Sequence, residues 1–340
     1  MSVQPDFAPP PLPADGEEIM TIDIGPLRAG EAGAIEDVAA QLHRACTEIG
    51  FFFIVNHGMD AAIVARAFEA SQQYFDLPFE EKMKVRMNRH QCGYMPPDVA
   101  VHNDTFEERA TAMASQHSEA FKFTFDLDAN DPDYCRNKRF RGHNKWPDPA
   151  AAPGAREAFM DFHCAFQTLG EKLLPPLAVS LGMPADYFDR FFERASSMTR
   201  IAYYPPIAAD ANQVALPGHR DSSFLSFIPP ATRPGLEIMT SSGKWIEQPV
   251  VPEGILVNTG TALVRWINDV YLATPHRVRA DADEGRYSNI FFLYPDVDSV
   301  LECVPSCQGP DNPAKYPPFT FGEFHAGFAA RNFAYAEDWD

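Results

Sequence analysis

No uninterrupted apolar stretch in this sequence approaches the ~20 residues that a membrane-spanning helix needs, which argues against a chain threaded through a bilayer. Basic residues are scarce. There are 28 Lys and Arg against 47 Asp and Glu, a formal net charge of -19, and no basic run occurs. Such a chain has no electrostatic footprint for nucleic acid or for an anionic membrane surface. Paired thiols are missing too. The six cysteines, Cys46, Cys92, Cys135, Cys164, Cys303 and Cys307, contain no Cys-x-x-Cys. Cys303 and Cys307 come closest, with no further Cys or His cluster to complete a zinc site. In a chain of this size that usage reads as reduced thiols in a cytoplasmic setting. At the N-terminus, acids and prolines stand where a signal peptide would carry a basic and then an apolar segment. No internal repeat is present.

What is there suffices for a large core: 340 residues, 45% of them hydrophobic. Residues 1–16 are proline-rich and read as a loose N-terminus. Region 17–135 mixes strands and helices. Ile19 to Ile24 reads as a strand. Ile35, Val38, Leu42, Cys46 and Ile49 recur at helical steps and predict an amphipathic helix over 34–49, stopped by Gly50. Phe51 to Val55 is an apolar strand, and 61–75 a second helix. The alternation from Phe121 to Phe125 predicts another strand. Region 136–196 holds a connecting loop and the longest helical pattern, 155–181, which Pro175-Pro176 should kink or break. From 197 to 298 the pattern changes to short apolar runs between turn residues: 224–228, 236–239, 245–247, 255–258 and 262–266. Many short strands so spaced suggest a sandwich or barrel. Residues 299–340 form a C-terminal extension, in which Phe319 to His325 starts a helix and His325 reads as a surface or packing residue.

The chemistry concentrates in Pro217-Gly218-His219-Arg220-Asp221-Ser222 and Thr274-Pro275-His276-Arg277-Val278. On a strand, residues two apart share a face, so His219 and Asp221 aim at a common point. An antiparallel strand would bring His276 there. Two imidazoles and one carboxylate on one side of a metal, with open positions opposite, suit non-haem Fe(II) and its reaction with O2. Taken alone, a His-x-Asp is common by chance and is as well explained by a hydrogen bond within a turn. The neighbours favour the metal. Arg286 and Ser288, again two apart, open the apolar run Ile290 to Tyr294, and an arginine with a hydroxyl on one strand face can hold a carboxylate. Tyr204, in Tyr203-Tyr204-Pro205-Pro206, offers a phenol nearby. His57, in Asn56-His57-Gly58, reads as a turn residue rather than a ligand.

Six segments, in this order and spacing, carry a resemblance: Gly50 to Gly58, Tyr203 to Pro206, His219-Arg220-Asp221, Val257 to Gly260, His276-Arg277-Val278 and Arg286-Tyr287-Ser288. The chain resembles the isopenicillin-N-synthase-like branch of the 2-oxoglutarate/Fe(II)-dependent oxygenases over roughly residues 17 to 330. The resemblance implies a mixed α/β fold with a mainly β core, a double-stranded β-helix (distorted jelly roll) with helices packed outside. It implies Fe(II) held by His219, Asp221 and His276, and 2-oxoglutarate with its distal carboxylate at Arg286 and Ser288, assisted by Tyr204. O2 and a small organic substrate complete the reaction, which hydroxylates, desaturates or closes a ring and releases succinate and CO2. It also makes Tyr94, Met95, Phe121 and Phe123 candidate walls of the substrate cavity, with an ordinary place in the core an equally good reading of each.

Three positions depart from the family pattern. Arg220 replaces a small residue between the ligands; strand alternation would turn it away from the iron, into a salt bridge in preference to the alternative, a substrate carboxylate at the cavity edge. Thr261 follows Gly260 where relatives have Asp. Ala202 stands where relatives often have Asn, which removes one possible hydrogen bond to the co-substrate. A few relatives keep the Arg-x-Ser pair yet take their electrons from the substrate or from ascorbate, as isopenicillin N synthase and aminocyclopropane carboxylate oxidase do, so the pair alone does not fix 2-oxoglutarate as co-substrate. That alternative stays open here, as does a metal-dependent sensor without turnover.

Overall fold

The computed structural model describes residues 18–97, 99, 118–207, 214–240, 242–279, 281 and 283–333. The proline-rich segment 1–16 lies outside them. Twelve of the strands form two sheets. The larger runs β1 (Met20–Asp23), β2 (Phe51–Val55), β10 (Ile255–Thr259), β7 (Leu225–Ile228), β12 (Arg286–Leu293), β5 (Met198–Tyr204), β4 (Glu119–Phe123) and β3 (Gly93–Met95). The smaller runs β6 (Val214–His219), β11 (His276–Arg279), β8 (Leu236–Met239) and β9 (Trp245–Glu247). β1 and β2 pair in parallel, and the other pairs are antiparallel.

Side-chain alternation builds two cores from these strands. β2 is apolar throughout, as a strand covered on both faces must be. Phe52 and Ile54 join a core with the helices, while Phe51 and Phe53 join a second core between the sheets. β10 divides likewise: Val257 goes to the first and Leu256 to the second. Leu216, Leu236, Ile238 and Val278 of the small sheet close the second core from its other side. This is the expected double-stranded β-helix arrangement, two sheets facing across an inner core without closing into a barrel. The first core is roofed by α1 (Gly25–Ala29), α2 (Ala34–Glu48), α3 (Ala61–Phe75) and, after the short α4 (Phe79–Met83) and α5 (Pro132–Cys135), by α6 (Ala155–Ser180). α7 (Asp189–Phe192) and α9 (Phe321–Asn332) complete the covering, with α8 (Thr261–Trp266) between them in sequence.

Local chemistry explains most boundaries. Asp60 accepts from Ala62 N at 2.9 Å and starts α3. Thr320 and Glu323 form a capping box at the start of α9. Gly50 ends α2 at φ +71°, and a Cβ there would run into Leu272 O, so only glycine fits.

Two expectations fail here. Pro175 and Pro176 lie inside α6 without breaking it. The carbonyls they leave without an N–H donor belong to Glu171 and Lys172, both exposed residues, so the loss falls on the solvent side of the helix. Meanwhile Leu173, Leu174, Pro176 and Leu177 are buried and hold the helix in place. Residues 262–266, read above as a strand, form α8 instead. Four of its five residues are apolar and buried, with Arg265 half-buried among them; so short a run carries no clear period, and its context decides.

Candidate active site

β6 and β11 are antiparallel neighbours, and their register sets His219 opposite His276, with ring centroids 4.4 Å apart. Asp221 Oδ1 lies 3.7 Å from Nε2 of each. One ligand atom from each of the three falls within 4.8 Å of the others, the geometry of a metal-binding cluster. The rings are oriented from behind. His219 Nδ1 lies 2.9 Å from Pro217 O, and His276 Nδ1 3.4 Å from Thr274 O. A carbonyl only accepts, so each Nδ1 carries the proton and each Nε2 keeps its lone pair for the shared point. Phe51 packs edge-on against His276 at 5.5 Å.

Strand alternation does not account for Asp221. β6 ends at His219, and Asp221 sits in the loop beyond it. Its position is fixed by hydrogen bonds. Ser226 Oγ donates to Oδ2 at 2.6 Å and Asn258 Nδ2 at 2.9 Å. Its own carbonyl accepts from Thr261 N at 2.8 Å and Thr261 Oγ1 at 3.0 Å. Thr261, one of the departures, thus anchors the loop from the first turn of α8. Burial by itself would raise the Asp221 carboxyl. The adjacent His276 and His219 and the bonds from Ser226 and Asn258 outweigh it, so the group lies below its ordinary range and is an anion. Ser226 and Asn258 were not singled out from sequence. Asn258 stood inside a resembling segment, but its partner is 37 residues away and only the fold discloses it.

The same cavity is lined by Arg286, Ser288 and Tyr204. Arg286 faces Tyr204 across the β12–β5 register, its guanidinium 5.5 Å over the phenol ring, and Ser288 faces Ala202. Arg286 is 3% exposed. Its Nε donates to Arg233 O at 3.1 Å, but Nη1 is buried with no partner among the described residues. Desolvation lowers its pKa, with Tyr204 pulling the other way. A buried guanidinium with an idle donor is costly unless an anion meets it. The donor set suits a carboxylate ligand, and the His/Asp/His set suits a divalent metal with open positions.

Other sequence-level candidates fall elsewhere. His57 Nε2 donates to Glu253 O at 2.8 Å and its Nδ1 accepts from Met59 N at 3.1 Å, a turn role. Arg220 does not point away: it lines the cavity, half-buried, with Nε donating to Ala273 O at 2.5 Å. It leaves the strand with Asp221, so alternation no longer governs it. Of the four wall candidates only Met95 lines the cavity; Tyr94, Phe121 and Phe123 sit in a third core behind the sheet, on the opposite strand face. His325 is no surface residue. It is 3% exposed, lines the cavity, and approaches Ser222 Oγ at 3.4 Å and Gln91 Nε2 at 3.2 Å. Lys122, Arg200 and Gln91 line the cavity and were missed. The signal for Lys122 was in plain view: a lysine between Phe121 and Phe123 in an alternating strand must face a different surface from theirs.

Known proteins share this architecture. Residues 19–149 match the family model described as non-haem dioxygenase in morphine synthesis N-terminal, and residues 195–295 match the 2OG-Fe(II) oxygenase superfamily. Kihadalactone A synthase of Citrus sinensis is 29% identical over 299 residues, 85% of this chain and 86% of that protein. Azadirone synthase of Melia azedarach is 29% identical over 322 residues, covering 92% and 94%. Among solved structures, a full-length Neurospora crassa protein in complex with alpha-KG and thymine aligns with a TM-score of 0.79 at 23% identity, over 93% of this chain and 98% of that one.

Proposed function

The chain belongs to the 2OG-Fe(II) oxygenase superfamily, and from that premise we propose that His219, Asp221 and His276 hold its Fe(II) while Arg286 and Ser288, with Tyr204, hold 2-oxoglutarate by its distal carboxylate. The enzyme uses Fe(II), 2-oxoglutarate and O2 to oxidise a small organic substrate. When bound, the metal and co-substrate supply the oxidising chemistry, with succinate and CO2 released and a substrate C–H bond attacked.

The protein's own groups bind, orient and desolvate. Both imidazoles are fixed in the Nδ1–H tautomer by backbone carbonyls. The Asp221 carboxylate is held on Oδ2 by Ser226 and Asn258, which leaves Oδ1 toward the imidazoles. Such outer contacts orient ligands and tune the metal. Arg286 neutralises the carboxylate of its ligand from a site that water hardly enters. Hydroxylation, desaturation or ring closure then depends on which bond the cavity presents.

One observation carries the assignment: Arg286, whose buried Nη1 has no partner among the described residues, lines the cavity that holds the His/Asp/His cluster. It calls for an anion, which the distal carboxylate of 2-oxoglutarate supplies; succinate release separates this reading from an oxidase whose substrate carboxylate takes the same arginine. The test is protein reconstituted with Fe(II) and 2-oxoglutarate in oxygenated buffer, with succinate and O2 uptake both measured. The expected result is one succinate per O2, with Asp221→Ala losing both iron and turnover. O2 uptake and substrate oxidation without succinate would overturn it in favour of the oxidase. With a net charge of -19 we take the substrate to be a small molecule rather than nucleic acid, and on six free thiols we assign a cytoplasmic setting.

A further inference from the structure

Lys122 and Arg200 are cross-strand partners in the β4–β5 register, on the cavity side of the large sheet. Two cations directly opposite one another destabilise a sheet unless something intervenes. Both are buried, at 5% and 9% exposure. The Lys122 ammonium donates to Gln91 Oε1 at 3.2 Å and lies 4.1 Å over the Phe333 ring. Arg200 Nη1 donates to the Tyr204 hydroxyl at 3.3 Å. Among the described residues neither has a carboxylate at ion-pairing distance.

A buried lysine nearby shows what the fold does when the charge is structural. Lys82, at 6% exposure, is paired with Glu119 at 2.7 Å. Lys122 has no such partner among the described residues, and burial, followed by Arg200, pushes its pKa down to about 7. Among the described lining residues the cavity's one carboxylate is Asp221, already engaged by Ser226 and Asn258. A chain rich in acids therefore keeps two cations at this wall with no described carboxylate to neutralise them. Around them stand Met95, Met198, Phe292, Tyr294, Phe328 and Phe333, which line the same cavity.

We propose that Lys122 and Arg200 form the substrate-recognition pair of this enzyme, and that the substrate is a small carboxylic acid with an apolar body. This rests on the oxygenase reading above. The carboxylate bridges the ammonium and the guanidinium, relieving their repulsion, and the apolar body packs on the methionines and aromatic rings. Arg286 serves the co-substrate, so the two anions have separate anchors.

The test uses the full chain with Fe(II) and 2-oxoglutarate under anaerobic conditions. It is titrated calorimetrically with phenylacetate, cinnamate and indole-3-propionate, and with the methyl ester of each. At least one acid is expected to bind about 10-fold or more tightly than its ester, the scale of one charge-assisted contact. Lys122→Met should bring that ratio to within about twofold while 2-oxoglutarate affinity stays within about twofold. Lys122→Arg, which keeps the charge, should retain the preference, and Arg200→Gln, a second and independent variant, should lose it. No preference for any acid over its ester, or a preference that survives both Lys122→Met and Arg200→Gln, overturns the proposal. Binding of 2-oxoglutarate without any acid preference sinks this assignment and spares the oxygenase reading. Acid preference through Lys122 without 2-oxoglutarate binding does the reverse.

Discussion

Arg286→Met separates a ligand anchor from a structural arginine, because the two roles predict opposite changes in stability. In the ligand-free protein the guanidinium is 3% exposed, with one hydrogen bond to Arg233 O and an idle Nη1. Removing it loses that one bond, about 1 kcal/mol. It also removes a buried, uncompensated cation, whose desolvation penalty is several kcal/mol even after relaxation. Methionine fills much of the volume without charge. The ligand-free variant is therefore expected to be at least as stable as the wild type. Toward 2-oxoglutarate the change runs the other way. Truncating one partner of a buried charge pair costs ~2–5 kcal/mol, which is about 30-fold to several-thousand-fold in Kd. At a ligand concentration 100 times the wild-type Kd, binding stabilises the wild type by ~2.7 kcal/mol and the variant by under ~0.9 kcal/mol. Urea unfolding with and without 2-oxoglutarate, in the presence of metal, reads both effects from one set of curves. A ligand-free variant destabilised by more than ~2 kcal/mol would mean that the arginine holds the fold together. An affinity within about threefold of wild type would mean that the co-substrate is anchored elsewhere.

Three further outcomes follow from the same contacts. Asn258→Ala removes one of the two donors on Asp221 Oδ2 and is expected to weaken Fe(II) binding about 10- to 100-fold, measured anaerobically by chelator competition; unchanged affinity would refute the orienting role. Gly260→Ala would drive a Cβ into Ser223 O, so the loop carrying Asp221 must shift, at a cost of about 1–3 kcal/mol in unfolding free energy with metal affinity lost alongside. Lys122→Met should change how stability depends on pH. The folded Lys122 releases its proton near pH 7, well below its ordinary value of 10.5, so between the two the unfolded chain holds the extra proton. Wild-type stability should then gain up to ~1.4 kcal/mol per pH unit across that window from this group. The variant lacks that gain, so it should be the more stable below pH 7, with the gap closing as pH rises. Parallel curves from urea midpoints at pH 6, 7.5 and 9 would refute the burial argument.

How much of this was legible in the sequence depends on how local each cause is. Helix 34–48, strand 51–55 and helix 61–75 could be read directly, because period, capping and a stopping glycine act within a few residues. The ligand-type residues His219, Asp221 and His276 could be named, as could Arg286, Ser288 and Tyr204, because residue type and spacing carry chemistry without coordinates. The sequence could not disclose why Asp221 points where it does, since Ser226 reaches it through a loop and Asn258 from another strand. Nor could it tell that 261–266 coils, or that α6 survives two prolines, since burial and solvent access at those positions decide both.

By itself, then, the sequence determined the chemical inventory and the alternation that splits each strand between two surfaces. Only the tertiary structure decided which surface was the cavity. Phe121 and Phe123 went to the third core and Lys122 to the opposite wall beside Arg200, while His325 came in from α9 to line the same space. The physical reason is that alternation is a property of one strand, whereas the cost of a buried charge depends on what every neighbouring element leaves unpaired.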